Sequence, residues 1–278
     1  MPLLTKNRLL WLAGLSLSVF TYARWVEPRW LAVREVRLKL PRLPEAFHDY
    51  RIVHLSDLHL GWGLDRSRLQ GAVDLVNLIQ PDLVAITGDF IDRTAGEVID
   101  DLIGPLRQLQ SRDATVAVMG NHDYYHGVNG VRRALKASGI LDVSNRVHTL
   151  ERDGALLHIA GVDDVAWHHD SLDAVLDALP DSGPALLLAH EPDFADLSAA
   201  TGRFDLQLSG HSHGGQVRLP LIGMPVLPSH GQRYPSGWYQ VGDMQLYTNR
   251  GLGTIAPHIR LGARPELTVL MLESAARG

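Results

Sequence analysis

The sequence predicts an α/β fold with mixed β-sheets. Two observations carry this. Through the first half, short apolar runs of strand length alternate with longer stretches of helical spacing; the final third returns to strand-like alternation. A third observation concerns placement. Short His/Asp/Asn blocks follow the apolar runs directly: Asp57-Leu58-His59, Gly88-Asp89-Phe90-Ile91-Asp92, Gly120-Asn121-His122-Asp123, His190 and Gly210-His211-Ser212-His213. In α/β folds the carboxyl ends of strands open into the ligand crevice, so separate strands would deliver these blocks to one place.

From residue 33 the partial alternation of Val33, Val36, Leu38 and Leu40 reads as a strand, and 51–55 as a buried one ending at the first block. Residues 69–79 carry helical spacing (Leu69, Val73, Val76, Ile79), which Pro81 stops. A strand at 83–86, a helix at 98–109, a strand at 115–119 and a helix at 131–137 follow. The second half offers strands near 147–150, 156–160 and 162, a helix over 171–179, strands at 185–189 and 206–208, and late alternation at 244–247 and 267–272.

With 278 residues, 45% hydrophobic and 21% charged, the chain suits one ordinary globular domain, with no linker-like break in the body. The formal net charge of -5 argues against a dedicated nucleic-acid binder, which usually carries basic surface. It leaves a nuclease open, because metal ions can supply local positive charge. The absence of cysteine excludes disulfides, Cys-based zinc sites and a cysteine nucleophile.

The N-terminus differs from the rest. Lys6 and Arg8 precede an uncharged stretch, 9–23, that is about 15 residues long against the roughly 20 of a comfortable membrane span. A signal peptide, an uncleaved signal-anchor and a buried core helix all fit; the signal-anchor is the reading preferred. Trp25 and Trp30, interleaved with Arg24 and Arg29, suit a membrane interface, and equally an amphipathic linker. Residues 1–40 are therefore expected as anchor or signal segment and linker, and 41–278 as the catalytic domain. Basic residues flank the apolar stretch on both sides, which leaves its orientation open.

Carboxylate, imidazole and amide oxygen ligands suit zinc, manganese, iron and cobalt. Asp57 and His59, two apart, would share one side of an extended segment. Asp89 has two oxygens and could bridge two ions; Asn121 offers an amide oxygen; His190, His211 and His213 offer imidazole nitrogens. The glycines before Asp89, Asn121 and His211 allow sharp turns and close approach. Two ions about 3.5–4 Å apart would clamp a phosphate and activate water. His122 would point away from a neighbouring ligand and be free to protonate a leaving group, with Asp92 holding its tautomer and Arg93 contacting a phosphate oxygen. Arg250 is a further candidate for phosphate. Asp163-Asp164 reads as a turn or as another metal pair. The remaining histidines read as surface or hydrogen-bonded residues, His126 being the one singled out because it lies just after the acid-bearing loop.

The ordered set D-x-H, G-D-x-x-D, G-N-H-D, H and G-H-x-H, spanning about residues 50–215, resembles the calcineurin-like metallophosphoesterase superfamily. The resemblance implies a four-layer sandwich of two mixed β-sheets flanked by helices, the metallo-dependent phosphatase fold. It implies one metal on Asp57, His59, Asp89 and His213 and another on Asp89, Asn121, His190 and His211, with His122 as general acid and Asp92 its partner. Residues 188–193, 209–217 and 247–253 resemble a bacterial membrane-associated or exported subgroup, the YaeI/YkuE-like proteins, although Lys6-Asn7-Arg8 lacks a twin-arginine pair. The expectation is a two-metal phosphoesterase anchored N-terminally in a bacterial inner membrane, with the periplasm one of the two sides left open for its catalytic domain. It would act on a phosphodiester or pyrophosphate, with a lipid-linked substrate such as a phospholipid head group or a UDP-diacylglucosamine type in view. A phosphomonoesterase or nuclease is the alternative specificity, and a non-catalytic metal-binding scaffold the alternative of another class.

Overall fold

The computed structural model describes residues 6–275. Its strands in chain order are β1 (Ala32–Leu40), β2 (Tyr50–Leu55), β3 (Leu83–Thr87), β4 (Ala114–Val118), β5 (Leu141–Asp142) and β6 (Arg146–Arg152). The second half adds β7 (Ala155–Gly161), β8 (Ala185–Leu188), β9 (Leu206–Ser209), β10 (Gly237–Val241), β11 (Met244–Thr248) and β12 (Glu266–Ser274). The helices are α1 (Lys6–Thr21), α2 (Arg66–Ile79), α3 (Ala95–Leu106), α4 (Asn121–His126), α5 (Val128–Ala137), α6 (Leu172–Ala178) and α7 (Ala195–Ala200).

The strands form two six-stranded sheets, ordered β1-β12-β2-β3-β4-β5 and β10-β11-β9-β8-β7-β6. Both are mixed. In the first, β12 runs antiparallel to β2 while β2, β3, β4 and β5 are parallel; in the second, β7, β8, β9 and β11 are parallel with antiparallel β6 and β10 at the edges.

Side-chain alternation builds the layers. On β2, Tyr50 and Ile52 join Leu83, Ala85, Val116 and Val118 against Leu157, Ile159, Leu186, Leu188, Leu206 and Leu208 of the other sheet. Val53 and Leu55 point the opposite way, onto α2, α3 and α5 through Leu69, Val76, Leu102, Val131 and Leu135. On the outer face of the second sheet, Ala160, Leu187 and Leu246 pack with Val175 of α6 and Ala195 of α7. The result is helix, sheet, sheet, helix, the four-layer architecture expected.

The N-terminal expectation needs correction. α1 has 16 residues, about 24 Å at 1.5 Å per residue, against a hydrocarbon core of about 30 Å. No described helix is long and apolar enough to cross a membrane. The N-terminal membrane anchor, and the inner-membrane localisation built on it, are therefore not supported. The segment beyond α1 is no loose tether either. Ala23 O accepts from Arg260 N at 2.9 Å, buried Glu27 accepts from Ala263 N at 2.7 Å, and Arg264 donates to Trp30 O and Leu31 O while lying over the Trp30 ring. β1, which a division at residue 40 leaves outside the domain, pairs with β12 from Ala32↔Glu266 to Leu40↔Ser274.

Candidate metal centre

The blocks lie where the parallel strands end, and the backbone there is not extended. Asp57 (φ 49°) and His59 (φ 45°) both adopt left-handed conformation, as do Asp89 (φ 56°), His211 (φ 69°) and His213 (φ 51°). Asp57 and His59 thus converge through a turn rather than through strand periodicity. Such conformations cost a non-glycine residue about 1–3 kcal/mol each and persist only where surroundings over-determine them. Here they do. Asp57 N donates to Gly88 O and His59 N to Asp89 O, both at 3.0 Å, while Leu252 N and Gly253 N hold Ser56 O and Asp57 O from the other side. Asp123 accepts from Asp89 N, Phe90 N and Gly120 N at 2.8–3.0 Å, clamping two ligand loops together.

Gly210 shows why glycine precedes a ligand. A Cβ there would overlap Ser56 Oγ and Asp57 Oδ2. Gly210→Ala is accordingly expected to cost about 1–3 kcal/mol by overpacking and to weaken metal retention; denaturant titration and metal analysis of the purified variant check both, and wild-type values in each would contradict the account.

Two buried groups of donors meet at these loops. Asp57, His59 and His213 have ligand atoms within 4.8 Å of one another, and so do Asp89, His190 and His211. Asp89 links them: its Oδ2 lies 3.1 Å from His190 Nε2 and 3.5 Å from His59 Nε2. His59 Nε2 and His213 Nε2 are 3.0 Å apart, and His213 Nε2 is 3.5 Å from Asp57 Oδ1. His190 and His211 bring Nε2 and Nδ1 to 3.2 Å. Asn121 Oδ1 is a buried acceptor without a hydrogen-bond partner.

The donor chemistry fits cations. His190 Nδ1 contacts Thr87 O at 2.6 Å and His211 Nε2 contacts Ser229 O at 2.8 Å. Those contacts fix which nitrogen of each ring, His190 Nε2 and His211 Nδ1, faces the shared point, the outer-sphere arrangement that orients histidine ligands. Burial opposes charge on His190, but the Asp89 carboxylate beside Nε2 outweighs it and holds this ring well above its ordinary value. Burial pushes His59 and His211 down to about 3 and His213 well below its ordinary value, so these rings stay neutral. Burial raises Asp57 to about 6, with the Asp89 charge adding to it. At Asp89 burial opposes ionisation, but the neighbouring His190 outweighs it and holds the carboxyl well below the usual range. Crowded carboxylates, neutral imidazoles and an orphaned amide oxygen are what divalent ions satisfy. Asp57, His59, Asp89, Asn121, His190, His211 and His213 are all donors of this cluster or lie in its loops.

His122 opens α4, which starts at Asn121 instead of continuing an extended strand; Asp123 accepts Gly120 N and turns the chain into helix. Successive residues still diverge by about 100°, so His122 and Asn121 point differently. His122 Nδ1 lies 3.2 Å from Asp92 Oδ1, and its ring stands edge-on to His59 at 4.6 Å. It opens on a cleft of about 710 Å³ lined by Trp62, Asp92, Tyr125, His126, Ile255, Ala256 and His258. Arg93 sits near this mouth, over the Trp62 ring at 4.9 Å and 3.1 Å from Glu97.

Arg250 is buried, with Nε 2.5 Å from Glu266 Oε2 at the start of β12, while its Nη2 is buried without a hydrogen-bond partner. Asp163 and Asp164 form no metal pair: Asp163 takes Tyr124 OH and Arg132, and Asp164 takes Trp167 N.

Sequence reasoning missed Arg260. It is fully buried, its guanidinium donating to the carbonyls of Arg250, Gly251, Gly253 and Ala263, with His213 Nδ1 3.4 Å away. Nothing in the sequence around Arg260 signals this. Asp123 was visible as the last residue of its block but carried no assigned role.

A two-sheet sandwich carrying such a cluster at its strand ends defines a metal-dependent hydrolase. Residues 50–215 match the family model described as calcineurin-like phosphoesterase. The chain is 35% identical over 258 residues to the uncharacterized metallophosphoesterase YkuE of Bacillus subtilis, covering 92% of this chain and 90% of that one. It is 30% identical over 261 residues to phosphodiesterase YaeI of Escherichia coli, covering 92% and 93%. Among solved structures, the NAD nucleotidase of Haemophilus influenzae shares the fold with a TM-score of 0.50 at 16% identity, over 73% of this chain and 45% of that one. The chain belongs to the calcineurin-like phosphoesterase family, in its YaeI/YkuE-like subgroup. It is a metal-dependent phosphoester hydrolase.

Proposed function

We propose that the protein hydrolyses phosphodiester or pyrophosphate bonds using two divalent ions, one held by Asp57, His59, Asp89 and His213 and the other by Asp89, Asn121, His190 and His211. Manganese, zinc, iron and cobalt all suit this donor set. Bound there, such ions supply Lewis-acid charge to the phosphoryl group and to the attacking water. His122 holds a proton at Nε2 for the leaving oxygen. Asp92, beside Nδ1, keeps that ring charged and oriented. Arg93 stands at the mouth to meet a phosphate oxygen.

The cleft beside His122 is the observation that favours a diester. Its walls include exposed Trp62 and Tyr125 together with Ile255, which accommodate a second ester arm. Of the neighbouring arginines, Arg250 pairs with Glu266 and Arg260 with backbone carbonyls, which leaves Arg93, in a half-exposed pair with Glu97, as the arginine for the phosphate. A monoester dianion would bring extra charge without an extra arm to fill the cleft. The same apolar wall supports a lipid-linked leaving group as the finer form of this reading.

The test is a comparison on metal-loaded protein of bis(p-nitrophenyl) phosphate, p-nitrophenyl phosphate and a phospholipid in detergent. The diester is expected to exceed the monoester in kcat/KM by at least about tenfold, about 1.4 kcal/mol. Preference for the monoester would overturn the diester reading. A phospholipid turned over no better than the small diester would remove the lipid-linked form, and inactivity on every ester with manganese or zinc would favour a metal-binding scaffold.

A further inference from the structure

We propose that Asp92, His122 and His126 form a further cation site at the mouth of the cleft, and that a zinc-like ion bound there switches hydrolysis off. His122 and His126 are four apart on α4, which sets both imidazoles on one face of a helical turn. Asp92 arrives from the loop after β3. Its Oδ1 lies 3.2 Å from His122 Nδ1 and 3.7 Å from His126 Nε2, and donor atoms of all three residues fall within 4.8 Å of one another.

One carboxylate oxygen serves both rings: Asp92 Oδ1 faces His122 Nδ1 and His126 Nε2, and the two imidazoles lie with centroids 5.9 Å apart, tilted 34° to each other. Two imidazoles and one carboxylate are a donor set that zinc accepts, with room for a fourth ligand from solvent. All three residues are partly exposed, unlike the buried donors of the main cluster, so an ion could enter and leave from solvent.

Occupancy and turnover would exclude each other. The proposed acid role uses His122 with Asp92 facing its Nδ1. An ion on Nδ1 engages both residues as ligands and stands at the mouth of the cleft, so the pair no longer serves a leaving group there. The inhibitory half of the proposal rests on the acid role of His122; the binding half does not.

The experiment counts ions and rates together. Protein saturated with zinc at its tight cluster is dialysed against rising zinc, and bound zinc per chain is measured beside hydrolysis of a dialkyl phosphodiester. The wild type is expected to take up one further zinc, with activity falling as that ion fills. His126→Asn should retain the tight zinc and, with inhibition scaled to the variant's own rate at low zinc, raise the half-filling and half-inhibition concentrations together by at least about tenfold. Unchanged filling in H126N, no further zinc in the wild type, or filling without inhibition would each overturn the proposal. An enzyme inactive on all esters would instead count against the proposed function, and the dialysis would still report on the site. His126→Gln, judged by the same two readings, guards against a folding defect peculiar to asparagine.

Discussion

Asp89→Asn is expected to lower kcat/KM by about 10³-fold or more, about 4 kcal/mol, and to strip metal from both halves of the cluster. Asp89 approaches His59 on one side and His190 on the other, and belongs to donor groups on both sides. Asparagine keeps the shape but replaces one carboxylate oxygen with an amide that presents hydrogens to a cation. Its effect reaches further through the backbone, because Asp89 Oδ1 also accepts from His122 N at 2.9 Å and so ties α4 to the centre. Metal content by atomic emission and steady-state kinetics on bis(p-nitrophenyl) phosphate read the two halves of the expectation. Full metal retention with a rate within tenfold of wild type would exclude a bridging role.

His122→Asn should behave differently: metal stays, and kcat falls by about 10²–10⁴-fold on a dialkyl phosphodiester. The loss should shrink with p-nitrophenolate, which leaves without needing a proton. Burial opposes charge on this imidazole, but the contact with Asp92 and the charges of Asp89 and Asp92 outweigh it, raising His122 above its ordinary 6.5. The acid form is present below that raised value and is lost as pH rises through it. The wild type should therefore show an alkaline fall in kcat on the dialkyl ester that the variant lacks. Equal losses on both leaving groups, with the alkaline limb unchanged, would deny His122 the acid role.

Much of this site was legible because its chemistry is concentrated in short blocks at strand ends, and buried strands announce themselves by apolar runs. Residues 51–55, 83–86 and 185–189 were readable for that reason, and β2, β3 and β8 appear there. Local backbone was less legible. Asp57 and His59 look like alternate residues of a strand, yet both turn left-handed because loops distant in sequence grip them. Arg250 reads as a free cation until its partner, Glu266, is brought across from β12. Arg260 is illegible for the same reason: its role consists of carbonyls gathered from residues 250–263 around one guanidinium. The apolar stretch after Arg8 shows the opposite error, where composition suggested a span that the helix formed there, at 16 residues, is too short to make.

The insertion of β12 between β1 and β2 has a consequence for biosynthesis. Strands made early in translation lie apart in the first sheet until the chain has been made through Ser274, because the strand that joins them follows every other described strand. Until then β1 has no described strand neighbour, and the β2 edge that β12 covers stays open to other chains. Glu266 arrives on the same strand, so the Arg250 pair, and with it the loop that braces Asp57, completes only at that final step. A ribosome-bound chain stopped at residue 265 should hold all seven ligands yet lack the brace that sets their geometry, and such nascent chains would depend on chaperones to keep the open edge from pairing with strands of other chains.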